Sequence, residues 1–142
     1  GRYLRYDIQA DKGSMFNTPP VFPIYILGKV LRWMRDQGGV IAMERQAEEK
    51  AGRLYRAIDQ SDGYYHCPVD VGSRSVMNVV FRLPTEELEK VFLSGADGAG
   101  LLNLKGHRSV GGIRASVYNA MPLEGVDALT TFMSEFQGAH PA

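Results

Sequence analysis

The residues best suited to chemistry lie in one stretch, Lys105-Gly106-His107-Arg108-Ser109-Val110-Gly111-Gly112-Ile113-Arg114-Ala115-Ser116. Two arginines and a histidine flank a Gly-Gly pair. A guanidinium is a rigid fork of donors that grips a carboxylate or a phosphate through two parallel bonds. Gly-Gly permits a sharp turn and the close approach of a ligand. Beyond it, Ile113, Ala115 and Val117 alternate with Arg114, Ser116 and Tyr118, the period of a half-buried strand. A guanidinium on a strand is held more firmly than one on a loop. His107, Arg108 and Arg114 therefore form a candidate site for a small molecule with two negative ends. The competing interpretation is that these arginines are solvated or paired with nearby acids.

The other chemical motifs are sparse. Cys67 follows His66 in Tyr65-His66-Cys67-Pro68, but adjacency in sequence is not the spatial adjacency that nucleophilic catalysis needs. The sequence has no GxGxxG or GxxxxGK[ST] loop and no GxSxG elbow. His66, His107 and His140 are too dispersed to suggest a metal site. The chain offers anion grips without an obvious reacting group.

The positioning elements follow from composition and pattern. At 142 residues, with 44% apolar and 23% charged residues, the chain has the make-up of one soluble globular domain. A formal net charge of zero argues against nucleic-acid binding, which needs a basic excess. No apolar run is long enough to span a membrane, and the N-terminus has no signal-peptide layout. The lone cysteine excludes an internal disulfide and fits a reducing cytoplasm. The chain does not open with methionine, so it reads as part of something longer.

Residues 1 to 20 are expected to be extended or looped, ending in Asn17-Thr18-Pro19-Pro20. A helix is predicted from Val21 to Gln37, with Ile24, Leu27, Leu31 and Met34 as its apolar stripe, stopped by Gly38-Gly39. A second helix runs from Ile41 to Ile58, with Met43, Ala47, Leu54 and Ile58 on one face. Glu44, Arg45, Glu48, Glu49 and Lys50 form its solvated side. A strand is predicted near Ser75 to Leu83, and a third helix from Pro84 with Thr85 as its cap. Gly95, Gly98 and Gly100 are expected to make a flexible link. A short strand over Leu101 to Leu104 precedes the Arg114 strand. The last helix follows Met121-Pro122 and turns Val126, Leu129, Phe132, Met133 and Phe136 to one face. The predicted fold is an α/β sandwich with helices covering an antiparallel or mixed sheet.

Several of these segments resemble the phosphoserine aminotransferase family, and the bacterial branch most. They are Ser14-Met15-Phe16-Asn17-Thr18-Pro19-Pro20 with the helix ending in Gly-Gly-Val, and Arg74-Ser75-Val76-Met77-Asn78-Val79. Lys105-Gly106-His107-Arg108 through Gly111-Gly112-Ile113-Arg114-Ala115-Ser116-Val117-Tyr118-Asn119-Ala120-Met121-Pro122 and the Leu123-Glu124-Gly125-Val126 helix complete the set. The likeness covers essentially the whole chain, and its HRxxGGxRAS element is highly specific. It implies the C-terminal part of a fold-type-I enzyme that uses pyridoxal phosphate to move an amino group between glutamate and 3-phosphohydroxypyruvate. The implied pathway is serine biosynthesis, with a related step in pyridoxine synthesis in many bacteria. It further implies that residues 1–20 end the large cofactor domain, 21–39 form a connecting helix and 40–142 the small substrate-gripping domain.

By the same resemblance, Arg114 holds the substrate α-carboxylate, and His107 with Arg108 receives the phosphate or the glutamate side-chain carboxylate. Asn17 and Thr18 donate to the cofactor phosphate of the neighbouring subunit of a cytoplasmic homodimer. No catalytic residue is expected in this stretch. The family's Schiff-base lysine lies upstream, and Lys12, Lys29, Lys50, Lys90 and Lys105 do not stand in its context. Two other functions fit the anion grip: a transaminase for unphosphorylated amino acids, or a stand-alone small-anion binding module. The first leaves the His107-Arg108 pair without a purpose. Neither nucleic acid nor membrane is an expected partner.

Overall fold

The computed structural model describes residues 1–141. It divides into two compact units, one from Gly1 to Val40 and the other from Ile41 onward. The first unit holds a 3-10 turn at Arg2–Leu4, helix α1 (Tyr6–Asp11) and helix α2 (Val21–Asp36). The first twenty residues are thus partly helical rather than extended or looped throughout. Gly13 and Ser14 (φ 55° and 62°) end α1, and the Pro19-Pro20 pair precedes α2. No residue of α2 is buried; Phe22 is 72% exposed, Leu27 56% and Leu31 55%. Left-handed Gly38 and Gly39 (φ 101° and 74°) stop α2 as the sequence suggests.

The second unit is an α/β core. Helix α3 (Gly39–Asp59), strand β1 (Asn78–Phe81), helix α4 (Glu86–Gly98), strand β2 (Ile113–Ser116) and helix α5 (Leu123–Ala139) follow in order. The strands pair antiparallel, Asn78 opposite Ser116, Val79 opposite Ala115, Val80 opposite Arg114 and Phe81 opposite Ile113. A single bridge between His66 and Arg82 extends β1. One apolar cluster joins the sheet to the three helices: Leu54 and Ile58 of α3, Phe92 and Ala96 of α4, and Val126, Leu129, Met133 and Phe136 of α5. Edge-to-face aromatic pairs run through it, and the Tyr65 hydroxyl donates to the Met133 carbonyl at 2.8 Å.

Several local expectations change. The segment 101–104 is no strand, because Asn103 adopts φ 62° and turns the chain out of extended geometry. Asparagine tolerates that region better than most residues. Gly95 and Gly98 lie inside α4 rather than in a link. The Thr85 hydroxyl accepts the Leu88 N–H at 3.2 Å, and burial of Phe92 and Ala96 outweighs a glycine penalty of about 1 kcal/mol each. Lys50, read as solvated, is 2% exposed. Its ammonium donates to the carbonyls of Tyr118 at 2.6 Å and Met121 at 3.1 Å. Burial pushes its pKa below the ordinary lysine value.

Before β1 the chain is pinned by Arg74, whose two terminal nitrogens donate to Asp59 at 2.6 and 2.8 Å. The guanidinium also lies 4.6 Å from the Tyr55 ring centroid. Arg74 holds the Asp59 carboxyl below its ordinary value of 3.8. A carboxylate with a lowered native pKa stabilises the fold above the unfolded-state pKa, and that stability is lost as pH falls through the native one. Asp59 is half exposed in its side chain, so Asp59→Asn is expected to cost only about 0.2–1 kcal/mol at pH 7. The gap between wild type and variant should close on acidification from the 3.8 region downward. Urea unfolding midpoints of both proteins across that range provide the check.

Candidate functional site

The Gly-rich segment forms a loop with a closed neck. Gly106 N–H donates to the Gly112 carbonyl at 2.8 Å, Arg114 N–H donates to the Leu104 carbonyl at 2.7 Å, and Lys105 bridges to Ile113. Within the loop, the N–H groups of Val110 and Gly111 both donate to the His107 carbonyl, at 2.9 and 2.8 Å. The glycines are required by space and by backbone. A methyl at Gly106 would collide with the carbonyls of Gly111 and Gly112. Gly111 and Gly112 sit at φ 76° and 72°, a region most side chains avoid.

The neck separates the sequence-predicted anion binders into two groups. His107 and Arg108 ride on the exposed loop, while Arg114 stands on β2 just past it. Around Arg114 the alternation holds. Ile113, Ala115 and Val117 are buried, Arg114 and Ser116 half-buried, and Tyr118 is exposed. Ser116 and Tyr118 donate their hydroxyls to the Asn78 side-chain oxygen at 3.0 and 3.3 Å. Lys50 holds the turn at Tyr118 and Met121, so these contacts together fix the C-terminal end of β2.

The charge environment favours an external anion. Among the described residues, Arg108 and Arg114 take part in no ion pair, whereas Arg53, Arg74 and Arg82 each face an acid. The Nε of Arg114 is buried without a hydrogen-bond partner. A buried donor left unmade costs about 1–3 kcal/mol, a cost an arriving carboxylate would remove. Arg114 borders a cavity of about 400 Å³ together with Leu101, Leu104, Ser116, Met121 and Leu129. At His107, Nδ1 lies 2.7 Å from the Ser109 hydroxyl and accepts the Ser109 N–H at 3.3 Å. These contacts assign Nδ1 as the acceptor, so Nε2 carries the proton in the neutral ring and is the free donor.

Asn17 and Thr18 lie in the first unit, both exposed, just before Pro19-Pro20. Their amide and hydroxyl are neutral donors of the kind that a phosphate accepts from. Cys67 is half-buried, its nearest recorded partner the Val69 carbonyl at 3.8 Å, and His66 is engaged through its backbone with Arg82. Three residues escaped the sequence reading. Lys50 stands seven residues after Met43 and four before Leu54, on the buried face, so helical periodicity contained a signal for it. Arg82 meets Glu89 seven residues on and Val110 of the loop 28 residues on, and no local pattern marks either side chain.

Comparison with known proteins bears on the whole chain. Residues 2–129 match the class-V aminotransferase family. The phosphoserine aminotransferase of Laribacter hongkongensis is 62% identical over 135 residues, which are 95% of this chain and 38% of that protein. That of Pseudomonas putida is 55% identical over 137 residues, 96% of this chain and 38% of the relative. Among solved structures, phosphoserine aminotransferase from Bacillus circulans subsp. alkalophilus superposes with a TM-score of 0.90 at 48% identity, covering 98% of this chain and 38% of its own. The phosphoserine aminotransferase of Trichomonas vaginalis, solved with pyridoxal phosphate bound, gives 0.81 at 40% identity, over 91% and 37%. The chain spans about 38% of the length of these curated relatives.

Proposed function

This chain belongs to the class-V aminotransferase family, and we propose that it is the substrate-gripping C-terminal part of a phosphoserine aminotransferase. The reaction exchanges an amino group between glutamate and 3-phosphohydroxypyruvate, giving phosphoserine and 2-oxoglutarate, in serine biosynthesis in the cytoplasm. The α/β fold is that of a segment of a fold-type-I aminotransferase. One observation carries the reading: an arginine on β2 with a buried, unpartnered Nε stands directly beyond a glycine neck whose loop bears a histidine and a second unpaired arginine. That arrangement suits a substrate with a fixed α-carboxylate and a distal dianion.

In this reading Arg114 grips the α-carboxylate and fixes the substrate's orientation. Arg108 and the Nε2–H of His107 meet the phosphate, or the distal carboxylate of glutamate. Asn17 and Thr18 donate to the phosphate of pyridoxal phosphate in the neighbouring subunit of a homodimer. When bound, that cofactor supplies the electron sink for amino transfer. The exposed apolar face of α2 supports a place against further protein, since large exposed apolar patches mark interaction surfaces. Residues 1–20 then belong to the cofactor domain, 21–39 connect, and 40–142 form the small domain; the break between the two compact units at Val40 supports this division.

The test is single-turnover amino transfer by the full-length protein loaded with cofactor. Phosphoserine and glutamate are expected to react, with alanine far slower; an enzyme that ignores phosphoserine refutes the reading. The cross-subunit contact has its own check. Thr18→Ala should weaken cofactor retention, since a hydrogen bond to a charged group contributes about 1.5–3 kcal/mol. Mixed dimers of Thr18→Ala subunits with subunits lacking the cofactor-binding lysine should recover activity above both parents. Recovery no greater than the parental background removes Thr18 from the partner's site.

A further inference from the structure

We infer that Arg82 is a positioning residue for the distal anion: held by Glu89, it props the loop of residues 107–111 and so sets where His107 and Arg108 meet the substrate. The inference rests on the function proposed above. Arg82 follows β1, and its backbone is fixed by a reciprocal pair with His66, N–H to carbonyl at 2.8 and 3.0 Å. From there the guanidinium reaches two ways. Nη2 donates to the Val110 carbonyl, and Nη1 lies 3.4 Å from each oxygen of Glu89. Glu89 is 8% exposed, on the first turn of α4. Among the described residues, the Arg82 bond is the one side-chain hydrogen bond that enters residues 107–111 from outside them.

The loop also rests on Arg82 sterically. A Cβ at Gly112 would come within 2.9 Å of Arg82 Cδ, and one at Gly111 within 3.2 Å of its Nη1. The two glycines thus let the backbone lie directly on the arginine side chain. Lysine could not replace it, because a single ammonium lacks the planar fork that faces an acid on one side and a carbonyl on the other. Arg82 itself binds the loop backbone and leaves the Arg108 guanidinium and His107 Nε2 free for the substrate.

The experiment compares wild type, Arg82→Gln, Arg108→Ala and the double variant in the full-length enzyme with phosphoserine and alanine as amino donors. Arg82→Gln should raise the KM for phosphoserine by about tenfold or more, the size expected for losing a hydrogen bond made by a charged group, with kcat nearly unchanged. Alanine, which has no distal anion, should be little affected. The double variant should be scarcely worse than Arg108→Ala alone, because both act on one contact. In parallel, amide hydrogen exchange should quicken at Val110 and Gly111 in Arg82→Gln. Equal losses for phosphoserine and alanine, full additivity in the double variant, or unchanged exchange each overturn the inference. Should Arg82→Gln fail to fold, Glu89→Gln takes its place: a smaller loss confined to phosphoserine supports the inference and a substrate-blind loss overturns it. A wild-type enzyme without phosphoserine turnover would instead sink the proposed function, and the exchange measurement, which needs no substrate, then decides the prop by itself.

Discussion

With the roles proposed above, Arg114→Ala in the full-length enzyme is expected to depress amino transfer from every substrate alike, whereas Arg108→Ala is expected to penalise phosphoserine more than glutamate and alanine hardly at all. The two arginines differ in how they are held. Arg114 sits on β2 opposite Val80, its backbone tied to Leu104 and its Nε buried. Arg108 rides on an exposed loop. A desolvated charge pair loses about 2–5 kcal/mol when one partner is truncated, which is about thirtyfold or more in rate at roughly 1.4 kcal/mol per decade. The α-carboxylate is common to all amino donors, so the Arg114 loss cannot discriminate among them. The distal anion is present in phosphoserine, weaker in glutamate and missing from alanine, so the Arg108 loss must. Single-turnover rates of each half-reaction give the ratio of phosphoserine to alanine reactivity in the two variants. Equal ratios would show that the arginines do not divide the substrate between them.

The placement of the two arginines is legible in the sequence because it depends on short-range pattern. Alternation across Ile113 to Tyr118 places Arg114 on the half-buried face of a strand before any coordinates are known, and Gly111-Gly112 marks the turn that precedes it. Helix faces with strong apolar periodicity, such as Val126, Leu129, Met133 and Phe136, are legible for the same reason. What escapes is non-local or decided by small margins. Lys50 sits in a run of charged residues, and composition hides that its position on the helix is buried; two carbonyls 68 and 71 residues away compensate its ammonium. Gly95 and Gly98 look like a link until the burial of Phe92 and Ala96 is counted. The apolar 101–104 segment has strand-like residues but one left-handed asparagine. The Arg82–Glu89–Val110 contact joins three segments, and only the fold brings them together. The residues proposed to bind anions are thus singled out by type and spacing, while the groups that hold them in place are not.

The core beneath the site sets the other large effect. Phe92→Ala is expected to destabilise the α/β unit by about 3–5 kcal/mol, the range for emptying a buried aromatic position. Phe92 is fully buried and lies at the centre of the aromatic cluster. Its ring centroid is 5.1 Å from those of both Phe132 and Phe136, 5.8 Å from Phe81 and 6.1 Å from Tyr65. Removing it withdraws contacts from α4, α5 and β1 together, so no single neighbour can close the space. Typical domains have only about 5–15 kcal/mol in total, so the variant should unfold at much lower urea. Val91, the preceding residue, is 47% exposed, and Val91→Ala should stay within about 0.5 kcal/mol of wild type. Urea unfolding midpoints of the three proteins, with slopes compared to verify that the transition keeps its character, provide the measurement. A loss at Phe92 no greater than at Val91 would mean that the cluster is not the core of this unit. Phe81 connects the cluster to the candidate site: it lies opposite Ile113, the residue before Arg114, so loosening at Phe92 reaches the strand that carries the proposed α-carboxylate grip. In the full-length enzyme, under conditions where Phe92→Ala remains folded, amino transfer is expected to fall for phosphoserine and alanine together, the opposite of the selective loss expected at Arg108.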